Sequence, residues 1–388
     1  MKPYKAIAIC IIALAFPSCG GKAGTLAQTP RPEDRAKNII LFIGDGMGAE
    51  QIKAAGIYGT GVGGTLSFEA FPHKGYISTS NAEGGVTDSA AAATAMATGT
   101  KVSNGVLAVA LPGDGMPLET VLEVFKKQGK RTGLVTTTSI AHATPAAFAS
   151  HEKTRDNHDA IAAAYFNESR PDILFGGGGH IAQADGKKAG YTVVADRDEM
   201  MTLETEGETR VLGIFGRGNM PFESDGLGNL PHLSEMTQVA LQILENAPYG
   251  FFLMVEGGLI DHACHANDIH RAVLETIEFS NAVAKTLDWA KTHPDSLILV
   301  TADHETGGLQ VVGNNGRGVL PAVSWSNTGH TKDDVPVYGW GKGAERVSGN
   351  MENTDIFQII MRSAPNSIET FPSLCRFDSV WKELVVCR

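Results

Sequence analysis

Asn38-Ile39-Ile40-Leu41-Phe42-Ile43-Gly44-Asp45-Gly46-Met47-Gly48 sets the architecture of this chain. The apolar run 39–43 does not alternate with polar residues, which is the pattern of a strand buried on both faces in a parallel sheet. It ends on Asp45, with Gly44, Gly46 and Gly48 around it. Working outward, similar apolar runs at 131–137, 172–176, 210–216, 250–256 and 296–302 are also predicted as strands. Helices are predicted over 118–128, 157–167, 234–246 and 268–291. The last carries Ala272, Val273, Ile277, Val283, Ala284 and Leu287 at helical spacings and stops before His293-Pro294. Strand–helix alternation of this kind implies an α/β fold, a three-layer sandwich with a largely parallel central sheet and helices on both faces. Ligands of such sheets bind beyond the carboxyl ends of the strands. With no internal repeat and no long linker, residues 36–388 read as one domain.

Composition narrows the function. The 388 residues are 43% apolar and 19% charged, ordinary for a globular protein. The net charge is −11, or −13 once a leader carrying Lys2 and Lys5 is removed. Such an acidic chain is a poor nucleic-acid partner. A phosphate ester would need local positive charge, from bound metal ions or a placed Arg.

Lys2, Lys5 and the apolar run 6–16 read as the start of a signal peptide over residues 1–18, too short to span a bilayer, which takes about 20 apolar residues. Cys19 directly after it matches a bacterial lipoprotein cleavage site, with ordinary cleavage nearby as the alternative. Residues 19–35 then form a tether. The chain is expected to be exported, to the periplasm or to a lipid-anchored position in the cell envelope. Of the five Cys, Cys375 and Cys387 are free to pair or to remain thiols, and no zinc-type Cys-x-x-Cys spacing exists.

The chemistry lies at strand ends. Thr87-Asp88-Ser89 precedes the Ala run 90–93, so Asp88 and Ser89 sit at a helix N-terminus. Either could be an ordinary cap, or Ser89 could be a nucleophile in the field of the helix. The run Val255-Glu256-Gly257-Gly258 delivers Glu256, followed by Asp261, His262 and His265. Asp261 and His265 are four apart, which is ligand spacing on one helical face. Thr301-Ala302-Asp303-His304 ends another buried strand on an acid and a His. His330 lies in a polar loop, and the stretch from His142 through His151 to Arg155 adds further His and one Arg. Taken singly, these read as solvated side chains. Together Asp45, Glu256, Asp261, His265, Asp303, His304 and His330 form a thiolate-free O and N donor set, suited to Zn²⁺ with a nearby Mg²⁺. Seven donors exceed one tetrahedral site and imply a multi-metal centre.

In order and over most of the chain, these segments resemble the alkaline phosphatase family. The resemblance implies phosphate monoester hydrolysis with two zinc ions and one magnesium. Asp261, His265 and His330 would hold the first zinc. Asp45, Asp303, His304 and the Ser89 oxygen would hold the second. Asp45, Thr144 and Glu256 would hold magnesium. Ser89 would be the nucleophile, and Arg155, oriented by Asp88, would grip phosphate oxygens. His142 and His262 depart from the enterobacterial pattern, which has Asp and Lys there, and look more like the animal enzymes. His142 leaves the third site open to a third Zn²⁺, because imidazole favours zinc. The segment between His304 and His330 is short, so both a monomer and a homodimer remain open.

Two rival readings use the same residues. A phosphodiesterase or sulfatase of the wider superfamily would prefer Thr or a modified Cys or Ser as nucleophile. A non-catalytic zinc- or phosphate-binding envelope protein would leave Ser89 idle.

Overall fold

Strand β1 (Asn38–Gly44) is buried along its whole length because a parallel neighbour flanks each of its edges. The computed structural model describes residues 35–205 and 210–364. The expected signal peptide, Cys19, nearly all of the tether, Cys375 and Cys387 lie outside the described residues. The other strands of the main sheet are β2 (His73–Ser78), β3 (Arg131–Ser139), β4 (Ile173–Gly177), β5 (Thr192–Val194), β6 (Val211–Ile214), β7 (Phe251–Gly257) and β8 (Ser296–Thr301). A ribbon of β9 (Gln310–Gly313) and β10 (Ala322–Ser324) stands apart from it, and β11 (Val335–Gly341) and β12 (Gly349–Glu352) return to the main sheet. The sheet order is β12-β2-β11-β8-β1-β7-β3-β4-β6-β5. Among the described residues of this sheet only β11 runs against its neighbours, β8 and β2. The rest pair in parallel, as the unbroken apolar runs require.

The six predicted strands are all present, displaced by a residue or two at their ends. The predicted helices shorten to their caps. The segment predicted as 118–128 begins only at Val121, because Thr120 and Glu123 form a reciprocal capping box. The long helix Ile269–Ala290 starts after Asp268, whose carboxylate accepts from the His270 and Arg271 amides. The segment 157–167 becomes His158–Ala164, followed by a wider turn over Tyr165–Ser169. Strands β2, β11 and β12 escaped the sequence reading, since Pro336 and several glycines break their patterns.

Helices form two layers. Ala49–Thr60, Leu233–Leu244, Leu259–His265 and Ile269–Ala290 pack with one another, and Ser89–Thr98, Val121–Lys127, Ala143–Ala149 and Thr354–Ser363 form the second set. The expected three-layer α/β sandwich is the observed fold. Its core is welded where Phe279 of the long helix meets Phe42 of β1 and Phe68 edge-on, at 5.7 and 6.0 Å between ring centroids. Gly257 admits that ring, since a Cβ there would stand 2.8 Å from Phe279. Phe279→Ala is therefore expected to cost about 3–5 kcal/mol, read as a fall in the urea unfolding midpoint.

Candidate active site

Register places the acids. Ile43 of β1 pairs with Glu256 of β7 on one side and with Thr301 of β8 on the other. Asp45 and Asp303 each lie two residues beyond that level, so three carboxylates meet at the carboxyl edge of the sheet. The helix Leu259–His265 begins two residues after β7 and puts Asp261 and His265 on one face, with Asp261 Oδ2 3.2 Å from His265 Nε2. His330 comes from a distant loop, held by a bridge between Thr306 and His330.

The expected ligands fall into three overlapping groups. Asp261, His265 and His330 converge in the first, and Asp45, Asp261 and His304 in the second. Asp45, His142 and Glu256 make the third, so Asp45 is shared. Asp303 joins the second group, with Oδ2 3.2 Å from His304 Nε2. His142, expected beside the third site, is a member of it, while the Thr144 hydroxyl is buried and receives no hydrogen bond.

Two features suit this donor set to cations. The first is the number of buried atoms without partners. Both Asp45 oxygens, Asp303 Oδ2, Glu256 Oε1, Thr144 Oγ1 and His142 Nδ1 lack any hydrogen-bond partner. Native interiors rarely leave so many polar atoms bare in one place. The second is the orientation of the imidazoles. His265 Nδ1 lies 2.6 Å from the Thr328 carbonyl and His330 Nδ1 2.8 Å from the Thr87 carbonyl. Each Nδ1 then carries the proton, and the two Nε2 atoms face each other at 3.1 Å. Lone pairs at that distance repel unless a cation or proton sits between them.

The electrostatics agree. Burial and the neighbouring Asp303, Asp261 and Glu256 push Asp45 well above the usual carboxylate range. Burial, then Asp261, pushes Asp303 up to about 8. For Asp261 burial opposes ionisation, but the His265 hydrogen bond and the surrounding imidazoles hold it well below the usual range. The same hydrogen bond raises His265 to about 9. Burial, then His330, drives His304 far down. So many carboxylates cannot all be charged in a dry site on their own, and cations among them would restore ionisation.

Ser89 sits beside this cluster. Its neighbour Asp88 caps the helix Ser89–Thr98 by accepting from the Ala91 amide at 3.0 Å. The capping role therefore belongs to Asp88, and the Ser89 hydroxyl instead faces His304, 3.4 Å from its Nε2. The other Asp88 oxygen accepts from Arg155 at 3.0 Å and from the Gly105 amide at 3.0 Å. The second terminal nitrogen of Arg155 lies 3.1 Å from His142 Nε2. His262 stands on the same side, its ring 5.9 Å from that of His142. His151 does not join them. It binds Glu123 and the Ala108 carbonyl instead.

Several supporting residues escaped the sequence reading. Thr136 and Thr138 both donate to Glu256 Oε2. Thr306 donates to Asp261 Oδ1 at 2.5 Å and touches His304 Nδ1 at 3.2 Å. Hydroxyls at the ends of buried strands were the available signal, since each must find a partner. Asn219, 3.5 Å from His262, had no local signal at all.

Comparison with known proteins shows the family. A family model described as alkaline phosphatase matches residues 36–323 and 320–365. Alkaline phosphatase 3 of Bacillus subtilis is 32% identical, over 95% of this chain and 98% of that protein. The structure of alkaline phosphatase from the Antarctic bacterium TAB5 matches with a TM-score of 0.74 at 32% identity, covering 85% of this chain and 98% of that one. The cold-active alkaline phosphatase of a psychrophilic Shewanella sp. matches with a TM-score of 0.77 at 30% identity, covering 85% and 100%. Fold and sequence thus agree over most of the chain, which belongs to the alkaline phosphatase family.

Proposed function

We propose that this chain hydrolyses phosphate monoesters through a covalent phosphoserine on Ser89. The observation that carries the reading is the pairing of a hydroxyl not spent on the helix cap with an anchored guanidinium. Ser89 is buried at the start of a helix, relieved of capping by Asp88, and that same Asp88 holds Arg155.

Asp261, His265 and His330 would hold one zinc, and Asp45, Asp303 and His304, with Ser89, a second. Asp45, Thr144 and Glu256 would hold magnesium, or a third zinc with His142 beside it. When bound, these ions supply the Lewis acidity that makes the Ser89 hydroxyl nucleophilic at working pH and neutralises charge on the ester oxygens.

The chain's own groups then act in sequence. Arg155 presents its remaining N–H donors to two non-bridging phosphate oxygens, its plane fixed by Asp88 and His142. Ser89 Oγ gives up its proton and bonds to phosphorus as the P–O bond to the ester oxygen breaks; that oxygen leaves with the electron pair and takes up one proton, so the proton count is unchanged. The helix N-terminus favours the phosphoryl charge on Ser89. Water then attacks phosphorus from the vacated side and releases inorganic phosphate and Ser89. Two in-line displacements give net retention at phosphorus. Substrate is thus a small phosphate monoester. Residues 36–388 are taken as the catalytic domain, and residues 1–18 with Cys19 as the export and lipid-attachment signal.

Three outcomes test the reading. Ser89→Ala is expected to lower p-nitrophenyl phosphate turnover by at least about 1,000-fold, with metal content kept; near wild-type turnover would end the covalent-serine assignment. Arg155→Ala is expected to raise both KM and the inhibition constant for inorganic phosphate by about 10- to 100-fold, the loss of one or two charge-assisted hydrogen bonds. Chelation is expected to abolish activity, and Zn²⁺ with Mg²⁺ to restore it, measured by the same assay.

A further inference from the structure

Glu305 follows His304 in the chain but faces away from the three ligand groups. It is 4% exposed, and its carboxylate takes four hydrogen bonds. Oε1 accepts from the Gln51 side chain at 2.7 Å and from the Leu309 amide at 3.2 Å. Oε2 accepts from the Gly308 amide at 3.1 Å and from the Thr331 hydroxyl at 2.6 Å. All four donors are neutral groups, and together they satisfy both oxygens of the buried side chain.

The surroundings are shaped to admit it. A Cβ on Gly48 would stand 2.4 Å from Glu305 Cγ. Gly307 and Gly308 have φ of +93° and +57°, and this bend turns the Gly308 and Leu309 amides back onto the carboxylate. The Thr331 amide also donates to the Glu305 carbonyl at 3.0 Å. Glu305 therefore ties the segment after β8, the helix Ala49–Thr60 and the loop of His330 to one point. Thr331 is the residue next to His330, and His330 reaches its cluster from a loop rather than from a strand of the main sheet.

We infer that Glu305 is a positioning residue for the first zinc site: through Thr331 it fixes His330 against Asp261 and His265. The inference rests on the metal reading proposed above. A loop-borne ligand gains its affinity from whatever stops the loop from moving, and outer partners of metal ligands are typically worth about 10- to 100-fold in affinity. With the Glu305 carboxylate replaced, His330 keeps its Nδ1 contact to Thr87 and the main-chain bridge to Thr306, but loses the side-chain tie through the Thr331 hydroxyl.

The test is a zinc titration of metal-free protein in competition with a chromophoric chelator. Wild type is compared with Glu305→Gln, Thr331→Val and Thr331→Ser. In Glu305→Gln, one zinc equivalent is expected to weaken by about 10- to 100-fold while the others stay as in wild type. Thr331→Val should weaken the same equivalent, and Thr331→Ser, which keeps the hydroxyl, should restore it. If Glu305→Gln does not fold, the two Thr331 variants decide, because they cut or keep a single hydrogen bond. Wild-type affinity for every equivalent in Glu305→Gln and Thr331→Val would overturn the inference. So would equal weakening of all equivalents, the mark of a general structural role. Absence of zinc binding in wild type would instead overturn the metal reading itself.

Discussion

Mutual repulsion among buried carboxylates is the constraint around which this molecule is arranged. Parallel pairing of β8, β1 and β7 carries Asp303, Asp45 and Glu256 to one edge, and Asp261 follows within a turn of helix. None of these acids has a Lys or Arg in a salt bridge with it among the described residues. Left alone, such a cluster would take up protons, as the raised Asp45 and Asp303 carboxyls indicate. A cation can balance several carboxylates at once, where a proton balances one. The imidazoles of His265, His304 and His330 complete a donor set that metal ions satisfy and hydrogen bonds do not.

The helix Ser89–Thr98 solves a second problem, that of sparing the hydroxyl proposed as nucleophile from capping the helix. A Ser at a helix start usually spends its oxygen on a backbone amide. Here Asp88 takes that duty with one oxygen and holds Arg155 with the other. One side chain thereby spares the hydroxyl and fixes the guanidinium. The arrangement makes Asp88 the link between the two groups proposed to touch substrate.

Supporting hydroxyls and amides then fix the ligands. Thr136 and Thr138 hold one Glu256 oxygen, leaving the other bare. The Gly46 and His304 amides do the same for Asp303. In each case hydrogen bonds occupy one face of the carboxylate and direct the remaining lone pairs into the cluster. Preorganisation of this sort is what separates a set of acids from a metal site.

The sequence by itself determined the sheet and its chemical edge. Unbroken apolar runs specify strands buried on both faces, and acids placed directly after them can only emerge at the carboxyl end. Asp45, Glu256, Asp303 and His304 were legible for that reason, and Asp261 with His265 by their helical spacing. Strands β2, β11 and β12 were not legible, because glycines and Pro336 hide a pattern that neighbouring strands impose. Nor could local sequence choose between Asp88 and Ser89 as cap, assign His330 and Arg155 a task, or separate His151 from them. Those decisions depend on which distant groups come within hydrogen-bond reach, and only the tertiary structure sets those distances.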